Sequence, residues 1–432
     1  MLGENRNSRY NINTNYVFLE KRVDITMTTN SFLPILLGSD MNAYGMARAF
    51  HEAYGLKPLV LGRMNLSATQ DSKILDFQVI PRLNEQDVFV PALIKVAGEH
   101  ADKKLLLLAC GDDYAKLIIK NKEQLLPYFA VPYIDEKLMD RIVLKENFYN
   151  ICEQYGFAYP KTSLCTYDTK DTFTIDFMYP IIIKASNSVA YWNCSFPGKK
   201  KVFVAHDEVE KNAIIEAIYS SSYKDNLTIQ EFIPGDDSYM RVLNAYVGKD
   251  GKVKLMSLGN PILEEHSPEG IGSYAAIINT FDEALLDRVR VFLEDIGYTG
   301  FANFDMKLDL RDGEYKLFEI NLRNGRSSYY VTASGHNLMK YVADDHMLDI
   351  PQTLTYAKDK HLWMIIPKGV LFKYAQNEQL KQEAKELIAE GKVTNHLFYK
   401  EDFNPKRWAK LTLNNLNYYR KYKKYFNNKG LS

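Results

Sequence analysis

Two amphipathic strands joined by a turn are encoded by residues 301–323, FANFDMKLDLRDGEYKLFEINLR. Apolar and polar residues alternate on both sides of Arg311-Asp312-Gly313, and this tripeptide is typical of a hairpin turn. Among the polar positions, Glu319 and Asn321 are two residues apart and therefore project from one face of a strand.

The face on which Asp305 falls depends on the turn. A three-residue loop from Arg311 to Gly313, with the glycine at φ > 0, pairs Asp305 with Glu319, whereas a two-residue loop at Asp312-Gly313 puts Asp305 on the opposite face. Two carboxylates on one face repel each other unless compensated, but together with the amide they are a sensible ligand set for Mg²⁺. The hairpin is therefore either a metal site, which requires an odd loop or a bulge, or a solvated sheet edge.

The composition is that of an ordinary globular protein. The 432 residues include 54 Lys+Arg and 54 Asp+Glu, and this balance gives no indication of a nucleic-acid partner. The length predicts two or three domains. The longest apolar run, Leu105 to Cys110, is too short to span a bilayer, and the polar N-terminus lacks the layout of a secretory signal. The widely spaced cysteines indicate reduced cytoplasmic thiols.

Strands and helices alternate over residues 31–135, which predicts a parallel, Rossmann-like sheet. The strands are expected at Phe32 to Gly38, Leu59 to Leu61, Phe77 to Ile80 and Leu105 to Ala109. Ligands of such sheets gather at the carboxyl ends of strands, and residues 38–45 and 111–113 follow two such ends. Neither is a GxGxxG fingerprint, so we expect no NAD. Both segments are equally compatible with ordinary turns that carry helix caps.

Residues 136–350 carry basic side chains at the polar ends of apolar strands. Lys184 closes one such strand, where it either has a function or reaches solvent. Residues 186–201 form a polar, lysine-containing loop between strands that suits phosphate oxygens or is simply solvated. Arg323 and Arg326 flank the turn after the hairpin and either clamp an anion or face solvent.

The sequence changes character from about residue 351, and no acidic residue follows Asp402. Basic and aromatic residues interleave over residues 403–432. Such a segment either lies on an anionic membrane, holds a polyanionic substrate, binds nucleic acid, or forms a solvated helix.

The order of these parts resembles the ATP-grasp superfamily of carboxylate–amine ligases over about residues 32–345. The parts are a Rossmann-like region, Lys145 in a helix, Lys184 on a strand, a flap, the hinge QEFIPG at 230–235, and the set Asp305, Glu319, Asn321 and Arg323. One departure is that the flap contains only Gly198, because the superfamily's phosphate loop is usually richer in glycine.

A narrower resemblance, to the D-aspartate ligases of Gram-positive cell-wall synthesis, runs through essentially the whole chain. It is carried by LPILLGSDMNAYGMARAFHEAYG, LLACGDDYA, QEFIPGDDSYMRVLNAYV and YTGFANFDMKLDLRDGEYKLFEINLRNGRSS. The resemblance implies an α/β (α+β) ATP-grasp fold. The implied parts are a polar extension (1–30), a Rossmann-like domain (31–135), an ATP-grasp domain (136–350) split near 236–240, and a basic, mostly helical extension (351–432).

The same resemblance implies a cytoplasmic enzyme. It would use ATP to join the β-carboxylate of D-aspartate, through an acyl phosphate, to the ε-amine of L-lysine in the UDP-MurNAc-pentapeptide of peptidoglycan synthesis. D-Aspartate and this nucleotide-linked precursor are the implied partners, with membrane contact through residues 403–432 and no nucleic acid. One alternative is another ATP-grasp amino-acid ligase. The other is a non-catalytic nucleotide-binding protein, which has no need of the complete acidic set.

Site residues follow from the resemblance position by position. The metal ligands, for two Mg²⁺ ions, are Asp305, Glu319 and Asn321. The ATP-binding residues are Lys145, Lys184, Ser186, Gln230, Glu231, Phe232, Ile233 and Asp237, with Asp236 as the alternative ribose contact. The catalytic residues are Lys184, Arg323 and Arg326. Further candidates for substrate carboxylates are Ser327 and Arg241.

Overall fold

A computed structural model describes residues 31–143, 145–267 and 270–426 of the chain. The expected extension over residues 1–30 lies outside the described residues. In the part that is described, none of the helices combines the length and the hydropathy that a membrane span requires. The four cysteines are all buried free thiols.

The N-terminal region folds as a parallel sheet flanked by helices, as its alternating pattern predicts. Its elements are β1 (Phe32–Leu37), α1 (Met41–Tyr54), β2 (Leu59–Gly62), β3 (Asp76–Val79), α2 (Gln86–Glu99), β4 (Lys104–Ala109), α3 (Asp112–Lys120) and α4 (Lys122–Leu125). The strand order is β3-β2-β1-β4, and all neighbours are parallel. The β1 strand is buried along its whole length, because helices cover both faces of such a sheet.

A small antiparallel sheet follows two connecting helices, α5 (Glu136–Val143) and α6 (Lys145–Gln154). Its elements are β5 (Thr162–Cys165), β6 (Ile181–Ala185), α7 (Ser188–Trp192), β7 (Val202–Ala205), α8 (Glu208–Tyr219) and β8 (Leu227–Glu231), in the strand order β5-β8-β6-β7. Ile181 and Ile183 on one face pack with Ile215 and Ile218 of α8. The other face therefore carries the alternating positions, among them Lys184.

A large sheet of eight strands forms the rest of the fold. Its first part consists of β9 (Met240–Val247), β10 (Val253–Glu264), β11 (Tyr274–Thr280), α9 (Glu283–Asp295), β12 (Gly300–Asp309), β13 (Glu314–Asn321), α10 (Tyr329–Ala333) and α11 (Leu338–His346). Its second part consists of β14 (Thr355–Ala357), β15 (Leu362–Met364), α12 (Lys368–Tyr374), α13 (Glu378–Ala389), β16 (Val393–Thr394) and α14 (Pro405–Tyr425). Short 3₁₀ turns occupy Asp237–Tyr239 and Lys400–Asp402.

The strand order of this sheet is β13-β12-β9-β10-β11-β15-β16, and β14 pairs with β10. The segment after residue 351 is mostly helical, as expected. It also contributes β14, β15 and β16 to the large sheet. The strands before and after the domain boundary expected near residue 350 therefore belong to the same sheet.

Helix α14 returns to the N-terminal region and is anchored there by a buried ion pair. Arg407 Nε lies 3.0 Å from Asp402 Oδ2, and neither side chain is exposed to solvent. Arg407 Nη1 donates to the carbonyl of Ala68 at 2.7 Å, while Asp402 accepts from the Tyr44 hydroxyl at 2.8 Å. Each charge is thus compensated by its partner and by polar groups of the Rossmann-like region.

We expect Asp402→Ala to lower the apparent free energy of unfolding by about 3–5 kcal/mol, because it leaves the Arg407 charge buried without its counter-ion. Glu390→Ala is the matched control, since Glu390 and Lys392 form an exposed pair that contributes less than about 1 kcal/mol. Urea unfolding followed by circular dichroism measures both. Equal stability of the two variants would contradict the assigned role of this ion pair.

Candidate active site

The register of the β12–β13 hairpin places Asp305 directly opposite Glu319. Asp309 pairs with Glu314 across a four-residue turn, 310–313, and an even turn alone would put the two carboxylates on opposite faces. The ladder shifts by one residue between Asp305 and Met306, so Phe318 is the extra residue of a β-bulge. The requirement for an odd loop or a bulge is confirmed, and a bulge meets it.

Two carboxylates and an amide meet on this face. Asp305 accepts hydrogen bonds from Asn321 Nδ2 at 3.0 Å and from the Tyr274 hydroxyl at 2.8 Å. Burial, followed by the negative charge of Glu319, raises the pKa of Asp305 to about 6. Glu319 is exposed, and its carboxylate makes no hydrogen bond or ion pair with the other described residues.

This donor set fits a hard cation. The carboxylate oxygens and the amide oxygen of Asn321, which accepts no hydrogen bond from the described residues, are ligands that Mg²⁺ prefers. The mutual repulsion that raises the pKa of Asp305 is the repulsion that a bound cation relieves. Within the described ranges, no group of three or more His, Cys, Asp or Glu side chains could hold a metal, so a third protein ligand beside Asp305 and Glu319 would have to be of another type, such as the amide of Asn321.

A chain of hydrogen-bonded polar side chains extends from Asn321 into the core and holds it in place. Asn321 Nδ2 also approaches Asn303 Oδ1 at 3.3 Å, and Asn303 Nδ2 donates to Asn244 Oδ1 at 3.2 Å. The same Asn244 oxygen accepts from the Ser328 hydroxyl at 2.6 Å, and Asn244 Nδ2 donates to the Tyr330 hydroxyl at 3.3 Å. The sequence reasoning missed this network, although Asn303 is one of the alternating polar positions of the hairpin and Asn244 is a polar residue in a largely apolar part of β9.

Arg323 and Arg326 reach from the end of β13 toward acidic groups. Arg323 Nη2 lies 3.0 Å from Asp112 Oδ2, just beyond β4. Arg326 Nη2 lies 2.8 Å from Glu265 Oε1, just beyond β10. Burial raises the pKa of Asp40, which lies just beyond β1, and the positive charges of both arginines partly oppose this rise.

The carboxyl ends of β1 and β4 therefore face the hairpin, as the parallel-sheet rule predicts. Arg241 is not part of this group. It pairs with Met306, the neighbour of Asp305, so it lies on the opposite face of the sheet.

Lys184 is available for a ligand. Its backbone is paired with Thr228 on β8, and its ammonium group makes no hydrogen bond or ion pair with the described residues. Ser186, which follows β6, shares a hydrogen bond of 2.8 Å with the Thr228 hydroxyl. Helix α6 begins at Lys145, but the side chain of Lys145 lies outside the part of the chain that the structure describes.

The side chains of the expected adenine hinge are engaged within the protein. Gln230 donates to the Tyr149 hydroxyl at 2.6 Å, and Glu231 lies 2.7 Å from Arg311 in an ion pair. Over the described ranges, the backbone N–H groups of Phe232 and Ile233 donate to no other backbone group. These amides, rather than the side chains of Gln230 and Glu231, are therefore the groups open to a ligand.

Glu264, a buried carboxyl group next to this hinge, was not among the predicted site residues. Asp237 accepts from the backbone N–H of Glu264 at 2.9 Å and lies 3.0 Å from His266 Nε2. Burial, followed by the charge of Asp237, raises the pKa of Glu264 to about 8. Lys307 lies close to this group and donates to the Gly235 carbonyl at 2.6 Å. The sequence reasoning missed Glu264 because β10 continues past the strand that the pattern indicated, and it passed over Lys307 because a lysine at a polar position of the hairpin is compatible with a solvated side chain.

Solved structures share this fold. An L-amino acid ligase from Bacillus licheniformis matches with a TM-score of 0.53 at 16% identity, over 73% of each chain. An N5-carboxyaminoimidazole synthetase from Staphylococcus aureus matches with a TM-score of 0.55 at 14% identity, over 82% of this chain and 86% of the other. With a Rossmann-like sheet, a lysine-bearing small sheet and an acidic hairpin, the protein belongs to the ATP-grasp fold class.

The sequence identifies the family within this class. It is 43% identical over 413 residues to a D-aspartate ligase of Enterococcus faecium (strain Aus0004), over 93% of this chain and 98% of the relative. No model in a scan of protein families matches the chain. The chain belongs to the D-aspartate ligase family, and it is an ATP-dependent ligase.

We expect Glu319→Gln to reduce ATP-dependent ligation by at least about 10²-fold, because one carboxylate of the proposed cation site is lost. The variant should keep its thermal stability, since Glu319 is exposed. A coupled assay of ADP release measures the reaction, and circular dichroism measures folding. Glu314→Gln, at the exposed start of the same strand, is the matched control. Ligation by Glu319→Gln at the control's rate would rule out the metal assignment.

Proposed function

We propose that the enzyme joins the β-carboxylate of D-aspartate to the ε-amine of L-lysine in the UDP-MurNAc-pentapeptide, releasing ADP and phosphate. The observation that carries this proposal is the charge pattern at the cleft. Arg323 pairs with Asp112 and Arg326 with Glu265, and Asp40 is close enough to both arginines to be affected by their charge. Such a pattern suits an amino acid with two carboxylates and one ammonium group. The family relationship favours D-aspartate as that amino acid.

The chemistry must first activate a poor electrophile. A carboxylate oxygen of D-aspartate attacks the γ-phosphorus of ATP, the bond to the β-phosphate oxygen breaks, and an acyl phosphate and ADP result. The amine of lysine then attacks the acyl carbon, loses a proton and expels inorganic phosphate. Phosphoryl transfer of this kind depends on charge neutralisation and positioning more than on covalent help from the protein.

The residues at the cleft are suited to these steps. Asp305, Glu319 and Asn321 would hold two Mg²⁺ ions, with Glu319 shared between them. When bound, the ions neutralise the charge that develops on the phosphate oxygens. Arg323 would stabilise the transferring phosphoryl group, and Arg326, with Ser327, would hold a carboxylate of D-aspartate as a guanidinium fork does.

The nucleotide would lie between the small and the large sheet. Lys184 and Lys145 would neutralise phosphate oxygens, with Ser186 as a hydroxyl donor nearby. The backbone of residues 231–233 would contact the adenine edge, and Asp237 would contact the ribose if its present partners release it. Lys184 supports this placement best, because its ammonium group has no partner among the described residues.

We expect a screen of amino acids as acid donors to single out D-aspartate. Each D- and L-amino acid is supplied with ATP, Mg²⁺ and the nucleotide-linked pentapeptide, and ADP release is measured. D-Aspartate should give the highest kcat/KM, because Arg326 would hold one carboxylate while the other is phosphorylated beside Arg323, and the family relationship favours the D enantiomer. A higher value for another amino acid would identify a different amino-acid ligase, and no ADP release with any donor would support a non-catalytic nucleotide-binding protein.

The solvent face of α14 carries a second proposal, peripheral contact with an anionic membrane from the cytoplasmic side. Leu413 and Leu416 are 68% and 52% exposed. The exposed basic residues beside them are Lys406, Lys410, Arg420, Lys423 and Lys424. An apolar stripe flanked by cations is typical of helices that lie on anionic lipid. The nucleic-acid alternative is not favoured, because the aromatic Tyr418 and Tyr422 face the protein interior.

We expect the protein to co-sediment with vesicles that contain phosphatidylglycerol and not with vesicles of phosphatidylcholine alone. Replacement of Leu413 and Leu416 by Gln should weaken this binding, because the apolar contact is lost. Leu126→Gln is the control, since Leu126 is 47% exposed just after α4, far along the chain from α14. Absence of binding to either vesicle would contradict the proposed membrane contact and identify the outer face of α14 as ordinary solvated surface.

A further inference from the structure

The inner face of α14 reaches the active site, at a place that the ligase chemistry does not by itself require. The Tyr418 hydroxyl donates to Glu265 Oε1 at 2.9 Å, and the Tyr422 hydroxyl donates to the backbone carbonyl of Glu264. One turn earlier, Asn415 Nδ2 donates to the Ile365 carbonyl at 2.7 Å. The helix is thus fixed along this face, and two tyrosines hold the segment that follows β10.

Glu265 links the helix to a substrate arginine. The carboxylate oxygen that accepts from Tyr418 is also the one that lies 2.8 Å from Arg326 Nη2. The other oxygen lies so close to Gly270 that a Cβ there would approach it to 2.5 Å. The Glu265 side chain is only 6% exposed, whereas the Arg326 side chain is 33% exposed. Glu265 is therefore enclosed by Tyr418, Arg326 and Gly270, whereas part of the Arg326 side chain stays exposed.

The second donor matters because Arg326 has a competing anion. Asp40, at the end of β1, attracts the same guanidinium. A carboxylate with a single donor can rotate about its side-chain bonds, so an unfixed Glu265 would allow Arg326 to turn toward Asp40. A hydrogen bond to a charged group contributes more than one between neutral groups. The Tyr418 hydroxyl is therefore suited to hold Glu265, and through it Arg326, in one orientation.

We propose that Tyr418 is a positioning residue for the acid-donor substrate: it fixes Glu265 and thereby aims Arg326 at a carboxylate of the amino acid. This inference rests on the proposed function, in which Arg326 holds D-aspartate. Helix α14 is thereby part of the proposed active site, because its Tyr418 stabilises the contact between Glu265, after β10, and Arg326, after β13.

Tyr418→Phe removes the hydroxyl and keeps the ring. We expect the KM for D-aspartate to rise about tenfold, because the hydroxyl's bond to a charged group is lost. The KM for ATP should stay within about twofold, since none of the proposed ATP-binding residues whose side chains the structure describes contacts Tyr418. Steady-state kinetics with each substrate varied in turn gives both values. A merely structural role would instead lower the amount of folded enzyme and leave both KM values unchanged.

Tyr419→Phe is the matched control, because Tyr419 is the next residue and is 44% exposed. It should leave both KM values unchanged. Glu265→Gln gives a second route to the same answer if the Tyr418 variant folds poorly, and it should also raise the KM for D-aspartate selectively. An unchanged KM for D-aspartate in folded Tyr418→Phe, or in Glu265→Gln where the Tyr418 variant does not fold, would overturn the positioning role.

Arg326→Gln separates this inference from the function on which it rests. An unchanged KM for D-aspartate in Arg326→Gln would overturn both the proposed carboxylate clamp and the inference. A raised KM in Arg326→Gln together with an unchanged KM in Tyr418→Phe would overturn the inference alone. Where both rise, the double variant should be little worse than Arg326→Gln, because Tyr418 acts through that arginine.

Discussion

The bulge at Phe318 is the constraint on which the rest of the site depends. Without the extra residue, Glu319 would oppose Phe304 and the two acidic groups would lie on opposite faces of the sheet. A bulge gives up one position of the strand ladder. The buried amides of Asn244 and Asn303 help to fix the register, because a slip of either strand would leave polar groups buried without partners.

The residues of the proposed site come from three layers of the fold, each built on one of the three sheets. The parallel sheet contributes Asp40 and Asp112 at the ends of its strands, the large sheet contributes the hairpin and its arginines, and the small sheet contributes Lys184. Contact between the first two layers is direct: Asn42 Nδ2 donates to the carbonyls of Cys110 and Asn324, both at 2.8 Å. Since each layer supplies only a few charged groups, this set of charges is complete only when the layers are packed together.

Local patterns in the sequence predicted much of this arrangement. The expected strand at Phe32 to Gly38 is β1, Phe32–Leu37, because a short apolar run that ends at a helix cap is typical of a buried strand in a parallel sheet. The hairpin was predictable, and so was the common face of Glu319 and Asn321, because neighbouring side chains of a strand alternate between its faces. The choice between a loop of odd length and a bulge was left open, since the turn residues are compatible with both.

Contacts between distant parts of the chain could not be predicted. Tyr274 was missed because β11, at Tyr274–Thr280, is buried along nearly its whole length, and such a strand shows no alternation of polar and apolar residues. The bond between Tyr418 and Glu265 joins residues 153 positions apart, and no sequence period encodes such a pair. The aromatic residues of the tail were recognised, but the face that turns inward follows only from how α14 packs.

The central claim is that Asp305, Glu319 and Asn321 share one face and together bind the metal that accompanies ATP. A crystal structure of the protein with Mn²⁺ and a non-hydrolysable ATP analogue tests it most directly, because anomalous scattering locates the ion without reference to activity. The account predicts an ion bonded to oxygens of all three side chains, with Phe318 still bulged. An ion bound without Asp305 and Glu319, or a hairpin with these carboxylates on opposite faces, would contradict it.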